Sequence, residues 1–321
     1  MRIVVVGLGS MGKRRIRLLR KIDSTIEIIG IDNNEDRRIS VIQEYEITGV
    51  EDFQEVKGDV DCAFICTSPQ SHASIITECL ERKWHVFTEI NLVSDGYEKN
   101  VNLAKENGKV LFLSSTPLYK EEMRYIDKVV KRNAEQFAYS YHVGQYLPDW
   151  HPWDNLKDFF IGKKETNGCR EIFAIELPWL QYTFGKIIAV QVVKRKITSL
   201  DVDFPDIYIV QIEHENGNIG NLLVDVVSRQ AVRHLEVIGE DVYIKWDGTP
   251  NTLQQKVIDT GEFKDVLLGE YIHEEGYGEF INEYAYLKEI QEFFDVIQGK
   301  EAIYGFGQDE EILGWIDKIE G

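Results

Sequence analysis

No stretch of this chain approaches the ~18–20 consecutive apolar residues that a membrane-crossing helix needs. Positive charge is also scarce: 36 lysines and arginines stand against 55 aspartates and glutamates, a formal net charge of −19. A surface of that sign does not gather nucleic acid or anionic lipid. The two basic runs, Lys13-Arg14-Arg15 with Arg17 and Lys194-Arg195-Lys196, are short and read as solvated faces of a helix or strand. Only four cysteines occur, Cys62, Cys66, Cys79 and Cys169, with no Cys-x-x-Cys pair. They read as reduced, mostly buried thiols of a cytoplasmic protein. HExxH and EF-hand patterns are absent and His151-Pro152-Trp153-Asp154 is isolated, so no metal site is expected. No cleavable leader is expected, because Met1 runs directly into Arg2-Ile3-Val4-Val5-Val6-Gly7, which reads as a core strand.

What is present suits two globular domains. The chain has 321 residues, 43% of them hydrophobic, against the usual ~100–200 residues per domain. Up to about residue 115, short β-branched runs (2–6, 26–31, 60–66, 85–88 and 110–113) alternate with helical patterns such as Ile76 with Leu80 and Val101 with Lys105. That is the signature of βαβ units and a doubly wound parallel sheet, with its ligand crevice at the carboxyl ends of the strands. Past Leu113 the pattern changes. An amphipathic stretch at 120–132 leads into hairpins: Asn216-Gly217 separates 207–214 from 219–227, and Gly239-Glu240-Asp241 separates 235–238 from 242–246. Helical segments at 283–297 and 309–319 close the chain. The expected fold is α/β: a Rossmann domain over 1–118, then a second domain over 119–321 with a mainly antiparallel sheet.

Gly7-Leu8-Gly9-Ser10-Met11-Gly12 is a GxGxxG that leaves a strand and opens a helix, and Asp32 follows Gly12 by 20 residues at the end of the next strand. Gly7 permits the tight turn, Gly9 admits the pyrophosphate, Gly12 lets helix and strand pack, and the free N–H groups at Ser10 and Met11 meet the anion. Asp32 would take the ribose hydroxyls and repel a 2′-phosphate, which points to NAD rather than NADP. Asn33 adjoins it. Arg37 and Arg38 either soften that exclusion or simply lie on an exposed helix.

These residues, with Cys66-Thr67-Ser68-Pro69-Gln70-Ser71-His72, Trp84-His85-Val86-Phe87-Thr88-Glu89 and the closing 286–299 helix, resemble the glucose-fructose oxidoreductase and inositol dehydrogenase (Gfo/Idh/MocA) family. The resemblance spans nearly the whole length. It implies an N-terminal Rossmann domain, a second α/β domain whose open sheet commonly forms homo-oligomer contacts, and substrate bound between the two. The terminal helices are free to pack back on the first domain. It also adds Thr67, Ser68, Pro69, His72, Glu89, Ile90 and Asn91 to the cofactor-binding candidates, His72 as a support for loop geometry. Gly144-Gln145-Tyr146-Leu147-Pro148-Asp149-Trp150 resembles a stretch of members that act on nucleotide-linked or amino sugars.

The proton-handling half of the family pattern is rewritten. Glu89-Ile90-Asn91 replaces the family's Glu-Lys-Pro, and an isoleucine cannot hold or transfer a proton. The helix after Gly168 places Ile172 and Ile175 where the family has an acid and a histidine; a one-residue shift would let Glu171 stand for the acid. Replacement groups are sought in His142, Tyr146, Glu171 and Glu176, with Asp149 and His151 nearby. Each has a plainer reading: His142 as a satisfied core or edge histidine, Tyr146 as a stacking ring, Glu171 and Glu176 as partners of Arg170. Ile90, Ile172 and Ile175 are expected to form an apolar wall beside the nicotinamide.

The leading function is an NAD-dependent oxidoreductase moving hydride to or from a ring carbon of a sugar, nucleotide-linked or amino. Its competitors are a dinucleotide-binding sensor or partner protein that has lost turnover, and a non-redox lyase or hydrolase that uses bound NAD transiently.

Overall fold

The computed structural model describes residues 1–133, 135–150, 159–269 and 280–321. The chain divides into two compact units, Met1–Ser115 with Tyr286–Glu311, and Thr116–Ala285 with Ile312–Gly321. Among the described residues no helix is long and apolar enough to cross a membrane.

The first unit is a doubly wound sheet. β1 (Arg2–Val6), β2 (Glu27–Ile31), β3 (Thr48–Val50), β4 (Cys62–Ile65), β5 (His85–Thr88) and β6 (Leu111–Leu113) alternate with α1 (Ser10–Ile22), α2 (Glu35–Tyr45), α3 (Pro69–Glu81) and α4 (Tyr97–Glu106). All strands pair in parallel, in the order β3-β2-β1-β4-β5-β6. The strands are buried on both faces, as crossover helices require, which explains their unbroken Val and Ile runs. The chain reverses its direction of winding between β1 and β4, so the crevice opens at their carboxyl ends, where Gly7 and Cys66 lie. β3 has no counterpart among the strands expected from sequence, because Thr-Gly-Val is too short to show alternation.

One basic run departs from expectation. Arg14 and Arg15 are buried rather than solvated, and Arg15 is wholly so. The Arg15 guanidinium binds Glu89 through Nε (2.6 Å) and Nη2 (3.1 Å) and also reaches Glu289 (2.9 Å) on α7 (Glu283–Ile297). It lies over the Phe87 ring at 4.5 Å. Glu289 in turn accepts from the Ser114 hydroxyl (2.9 Å) and the Ser115 N–H (2.7 Å). The last segment of this unit is thus fastened to the first helix by buried charge, and Phe293 of α7 packs edge-on to Phe64 and Phe87.

The second unit begins with α5 (Glu121–Arg132), β7 (Ala138–Gly144) and α6 (Gly168–Phe184). β8 (Ile187–Arg195), β9 (Ile207–His214), β10 (Ile219–Asp225), β11 (Val232–Ile238), β12 (Tyr243–Trp246), β13 (Gln254–Lys256) and β14 (Phe263–Asp265) follow, and α8 (Phe306–Glu320) ends the chain. The sheet order is β14-β13-β12-β11-β7-β10-β9-β8, antiparallel except for the parallel pair β7 and β10. Both foreseen hairpins form, β9–β10 and β11–β12. Alternation decides the faces. Tyr139 and Tyr141 turn inward onto α6, Tyr139 stacking on Phe184 at 4.4 Å and Tyr141 edge-on to Trp179 at 5.5 Å. The opposite face carries Ser140 and His142 and leaves Val193, Ile209 and Ile219 exposed.

Removing one member of a buried ionic group leaves the others charged and unpaired, at a cost of about 3–5 kcal/mol. Arg15→Ala should lower folding stability by about that amount in urea unfolding. A loss below about 1 kcal/mol, the range of surface pairs, would show that the Arg15 network does not hold the unit together.

Candidate functional site

Three glycines of the first loop do three different jobs. Gly7 has φ +89°, and a Cβ there would stand 2.8 Å from the Cys66 carbonyl; at Gly12 it would stand 2.0 Å from the Gly7 carbonyl oxygen. Both are glycine because the fold leaves no space. Gly9 differs, with φ −73° and ψ −161°, which any residue adopts, and with no atom within 4 Å of an added Cβ. Neither backbone nor packing asks for glycine there, so the open space is of the kind a bound group would use. Next to it α1 starts with no side-chain cap and no acidic residue in its first turn, leaving its N–H groups free for an anion. Ser10 is exposed and Met11 half-buried beside them.

Asp32 closes the other side. Its carboxylate accepts from the Leu8 N–H (2.8 Å) and the Asn34 N–H (2.9 Å), which aligns it on the glycine loop. Asn33 is exposed. Arg37 is exposed and 3.8 Å from Asp32, whereas Arg38 is held by the Asp32 carbonyl oxygen at 2.7 Å. Opposite, Thr67 packs against Gly7, Ser68 is exposed at the start of α3, and Pro69 occupies its first turn. His72 lies buried between the Thr67 carbonyl (3.0 Å) and Asn91 (2.7 Å). Glu89 and Ile90 are half-buried at the end of β5, with Glu89 engaged by Arg15.

In the second unit the four proton-handling candidates are separated. His142 binds Asp225 (2.7 Å) on the face of the sheet opposite α6. Burial raises the Asp225 carboxyl, but bonds from His142, Val227 and Ser228 outweigh it and hold the group below the usual carboxylate range. Tyr146 stacks beneath the Arg229 guanidinium at 3.7 Å. Glu176 is fully buried and accepts from Tyr141 (2.8 Å) and Trp179 (2.7 Å) while pairing with Arg233 (2.6 Å). The Glu171 carboxyl group alone of the four has no hydrogen bond, ion pair or ring contact among the described residues, its backbone N–H donating to the Asn167 carbonyl (3.0 Å). Arg170, its expected partner, binds Asp317 (2.8 Å) and Glu320 instead. Burial pushes the Glu171 carboxyl up to about 7. Glu171 and Ile175 share a half-buried stripe of α6, while Ile172 and Glu176 face the core. Asp149 is exposed, and His151 lies outside the described residues.

Three groups escaped the sequence reading: Arg15, Glu289 and Lys120. Lys120 is buried, donates to the Phe280 carbonyl (3.0 Å), and is pushed down to about 8 by burial and by Arg233. Nothing in the local sequence marks these charges as buried, since each sits in an ordinary amphipathic segment.

Residues 1–115 match the Gfo/Idh/MocA oxidoreductase family, NAD-binding Rossmann fold. Human biliverdin reductase A is 30% identical over 134 residues, 40% of this chain and 44% of that protein. Myo-inositol 2-dehydrogenase of Thermotoga maritima is 28% identical over 139 residues, 41% of each chain. The matched stretch therefore spans less than half the length of these curated relatives. Among solved structures, levoglucosan dehydrogenase in complex with NADH and levoglucosan aligns with a TM-score of 0.81 at 16% identity, over 99% of this chain and 96% of that one. UDP-N-acetylglucosamine 3-dehydrogenase from Acidithiobacillus ferrooxidans gives 0.77 at 16% identity over the same shares, 99% and 96%. At such identities the fold is what is shared, and it extends through both units.

The space at Gly9 yields a direct test. Gly9→Val should weaken NAD binding at least about 100-fold, or about 2.7 kcal/mol, with the thermal unfolding midpoint little changed, whereas Gly12→Val should fail to fold. NAD affinity unchanged in Gly9→Val, by calorimetry, would remove the dinucleotide from this loop.

Proposed function

With the NAD-binding Rossmann fold of the Gfo/Idh/MocA oxidoreductases in its first unit, this chain is, we propose, an NAD-dependent dehydrogenase or reductase of sugars, with nucleotide-linked and amino sugars as the first to test. Bound NAD would supply the redox chemistry, accepting or giving hydride at the nicotinamide C4. The chain's own part is to bind, orient and handle one proton.

For binding, the α1 amino terminus would hold the pyrophosphate and Asp32 the adenosine ribose hydroxyls. Asp32 already turns its carboxylate onto the loop through the Leu8 and Asn34 N–H groups, so a 2′-phosphate would meet a fixed negative charge. Arg37, exposed and 3.8 Å away, offsets that charge only weakly. Thr67, Ser68, Pro69 and Ile90 would border the nicotinamide side.

For the proton, the reading rests on one observation: Glu171 is the single candidate of the four whose side chain has no partner among the described residues, and burial pushes its carboxyl up to about 7. Glu176 and His142 are tied to Arg233 and Asp225, and Tyr146 to Arg229. Those commitments, with Ile90 and Ile175 in place of lysine and histidine, favour a second reading, a dinucleotide-binding sensor without turnover. The names of the structural neighbours, a levoglucosan and a UDP-N-acetylglucosamine dehydrogenase, support the choice of sugar substrates. The exposed face of the second sheet, with Val193, Ile209, Ile219 and Ile238 at its surface, suits contact with a second copy of the chain. Four unpaired cysteines suit a cytoplasmic location.

Two measurements decide. NAD should bind more tightly than NADP, and Asp32→Ala should narrow the gap; equal affinities in the unmodified protein would overturn the role of Asp32. In turnover with a panel of nucleotide sugars, the oxidative rate should rise as pH passes through about 7, because a carboxylate base acts only once deprotonated. Glu171→Gln should abolish that dependence and lower kcat by about 10²–10⁴-fold, with NAD affinity unchanged. No turnover on any sugar, with NAD still bound, would put the sensor reading ahead.

A further inference from the structure

Two arginines of the second unit are met by carboxylates, Arg170 by Asp317 and Glu320 and Arg233 by Glu176. Arg229 is not. It is exposed, and its guanidinium makes no hydrogen bond or ion pair among the described residues, although acids outnumber bases by 55 to 36 in this chain. It lies instead over the Tyr146 ring, 3.7 Å from the centroid. Stacking uses the face of a guanidinium and leaves the N–H groups around its edge free to donate. The hydroxyl of the same tyrosine is also without a partner among the described residues.

Both side chains are held by their backbone. Arg229 follows a turn clamped by buried Asp225, whose carboxylate accepts from the Val227 N–H (2.9 Å), the Ser228 N–H (2.7 Å) and the Ser228 hydroxyl (3.0 Å), and is bonded to His142 (2.7 Å). The Tyr146 loop is tied to the same segment. The Gln145 N–H donates to the Asp225 carbonyl (3.3 Å), the Leu147 N–H to the Val226 carbonyl (3.0 Å), and the Trp150 indole folds back onto the Gln145 carbonyl (3.3 Å). Leu147, Val226 and Trp150 close over Gly168, where an added Cβ would stand 2.8, 3.1 and 3.6 Å from them. Gly168 begins α6, and Glu171 and Ile175 follow it on the same side at helical spacing. The free arginine and the Glu171 carboxyl therefore lie at the same end of the second unit.

We propose that Arg229, seated on Tyr146, is the phosphate-binding residue of a substrate site on the second unit: it takes the diphosphate of a nucleotide-linked sugar, whose ring extends along α6 toward Glu171. The proposal rests on the reading of Glu171 as the group that handles the proton of a sugar. A diphosphate presents paired acceptor oxygens, which the planar edge of a guanidinium meets two at a time. Its charge also supplies the counter-ion that the described residues do not. In a chain of net charge −19 such a ligand needs a local cation, since the surroundings repel it. The clamped turn and loop present that cation already ordered, so little freedom is lost on binding. A neutral free sugar would leave the guanidinium edge unused, and the arginine therefore selects for the nucleotide-linked form. A carboxylate offers similar paired oxygens, and the test includes one.

Calorimetry of the full chain with UDP, in the absence of NAD and sugar, reads this site directly. UDP should bind, with an affinity that falls as salt rises. Arg229→Ala should weaken it about 10–100-fold, the loss expected for charge-assisted hydrogen bonds. Arg229→Lys should restore it only in part, because an ammonium keeps the charge without the planar fork. Tyr146→Leu removes the ring that seats the guanidinium and should weaken UDP about fivefold. NAD affinity should be the same in all three variants. UDP-N-acetylglucosamine should follow UDP, whereas glucuronate, a carboxylate on a sugar without a nucleotide, should bind far more weakly. No binding of UDP, an affinity for UDP unchanged in Arg229→Ala, or glucuronate bound as tightly as UDP would overturn the proposal. UDP held through Arg229 with no turnover of any nucleotide sugar would instead overturn the reading of Glu171 and leave the phosphate site standing.

Discussion

A guanidinium removed from water cannot stand alone, and much of the first unit follows from how Arg15 is matched. Projecting from the helix that the glycine loop opens, it needs carboxylates within reach, and it finds Glu89 at the end of β5 and Glu289 on α7. Burial by itself would raise the acid of Glu289, and Arg15 with Ser114 opposes that. The group is stable only as a set. A segment far along the chain is thereby made part of the dinucleotide-binding unit, and Glu89, beside Ile90 and Asn91, is held in one orientation.

The same logic separates the acids of the second unit. Glu176 and Glu171 are five residues apart on one helix, which places them on different faces. Glu176 turns into the core and is met there by Tyr141, Trp179 and Arg233. Glu171 turns to a half-buried stripe where no counter-charge meets it among the described residues, and burial raises its carboxyl. His142 belongs to neither environment, because alternation along β7 carries it to the other side of the sheet. One helix and one strand thus divide residues of similar chemistry into structural and uncommitted groups.

In the first unit the polar residues at the crevice are mostly occupied by one another. Asp32 is aimed by backbone N–H groups, His72 by Thr67 and Asn91, and Glu89 by Arg15. The vacant contacts are backbone ones: the uncapped start of α1 and the space above Gly9. Such an arrangement leaves fixed backbone dipoles at the crevice, which need little reorganisation to meet an anion.

The local pattern alone was enough for the βαβ alternation, the GxGxxG with Asp32, and both hairpins, because period, turn chemistry and glycine position act over a few residues. Strand order was not so determined: β7 lies between β10 and β11, a parallel and an antiparallel neighbour, and that choice depends on which apolar faces meet across long loops. The burial of Arg15 was equally beyond local reading. An arginine in an amphipathic helix looks solvated until a carboxylate 74 residues on and another 274 residues on are brought beside it. The commitment of Glu176 to Tyr141, Trp179 and Arg233 was likewise settled by tertiary contacts, since a charge takes its character from partners that the chain's neighbours in sequence do not supply.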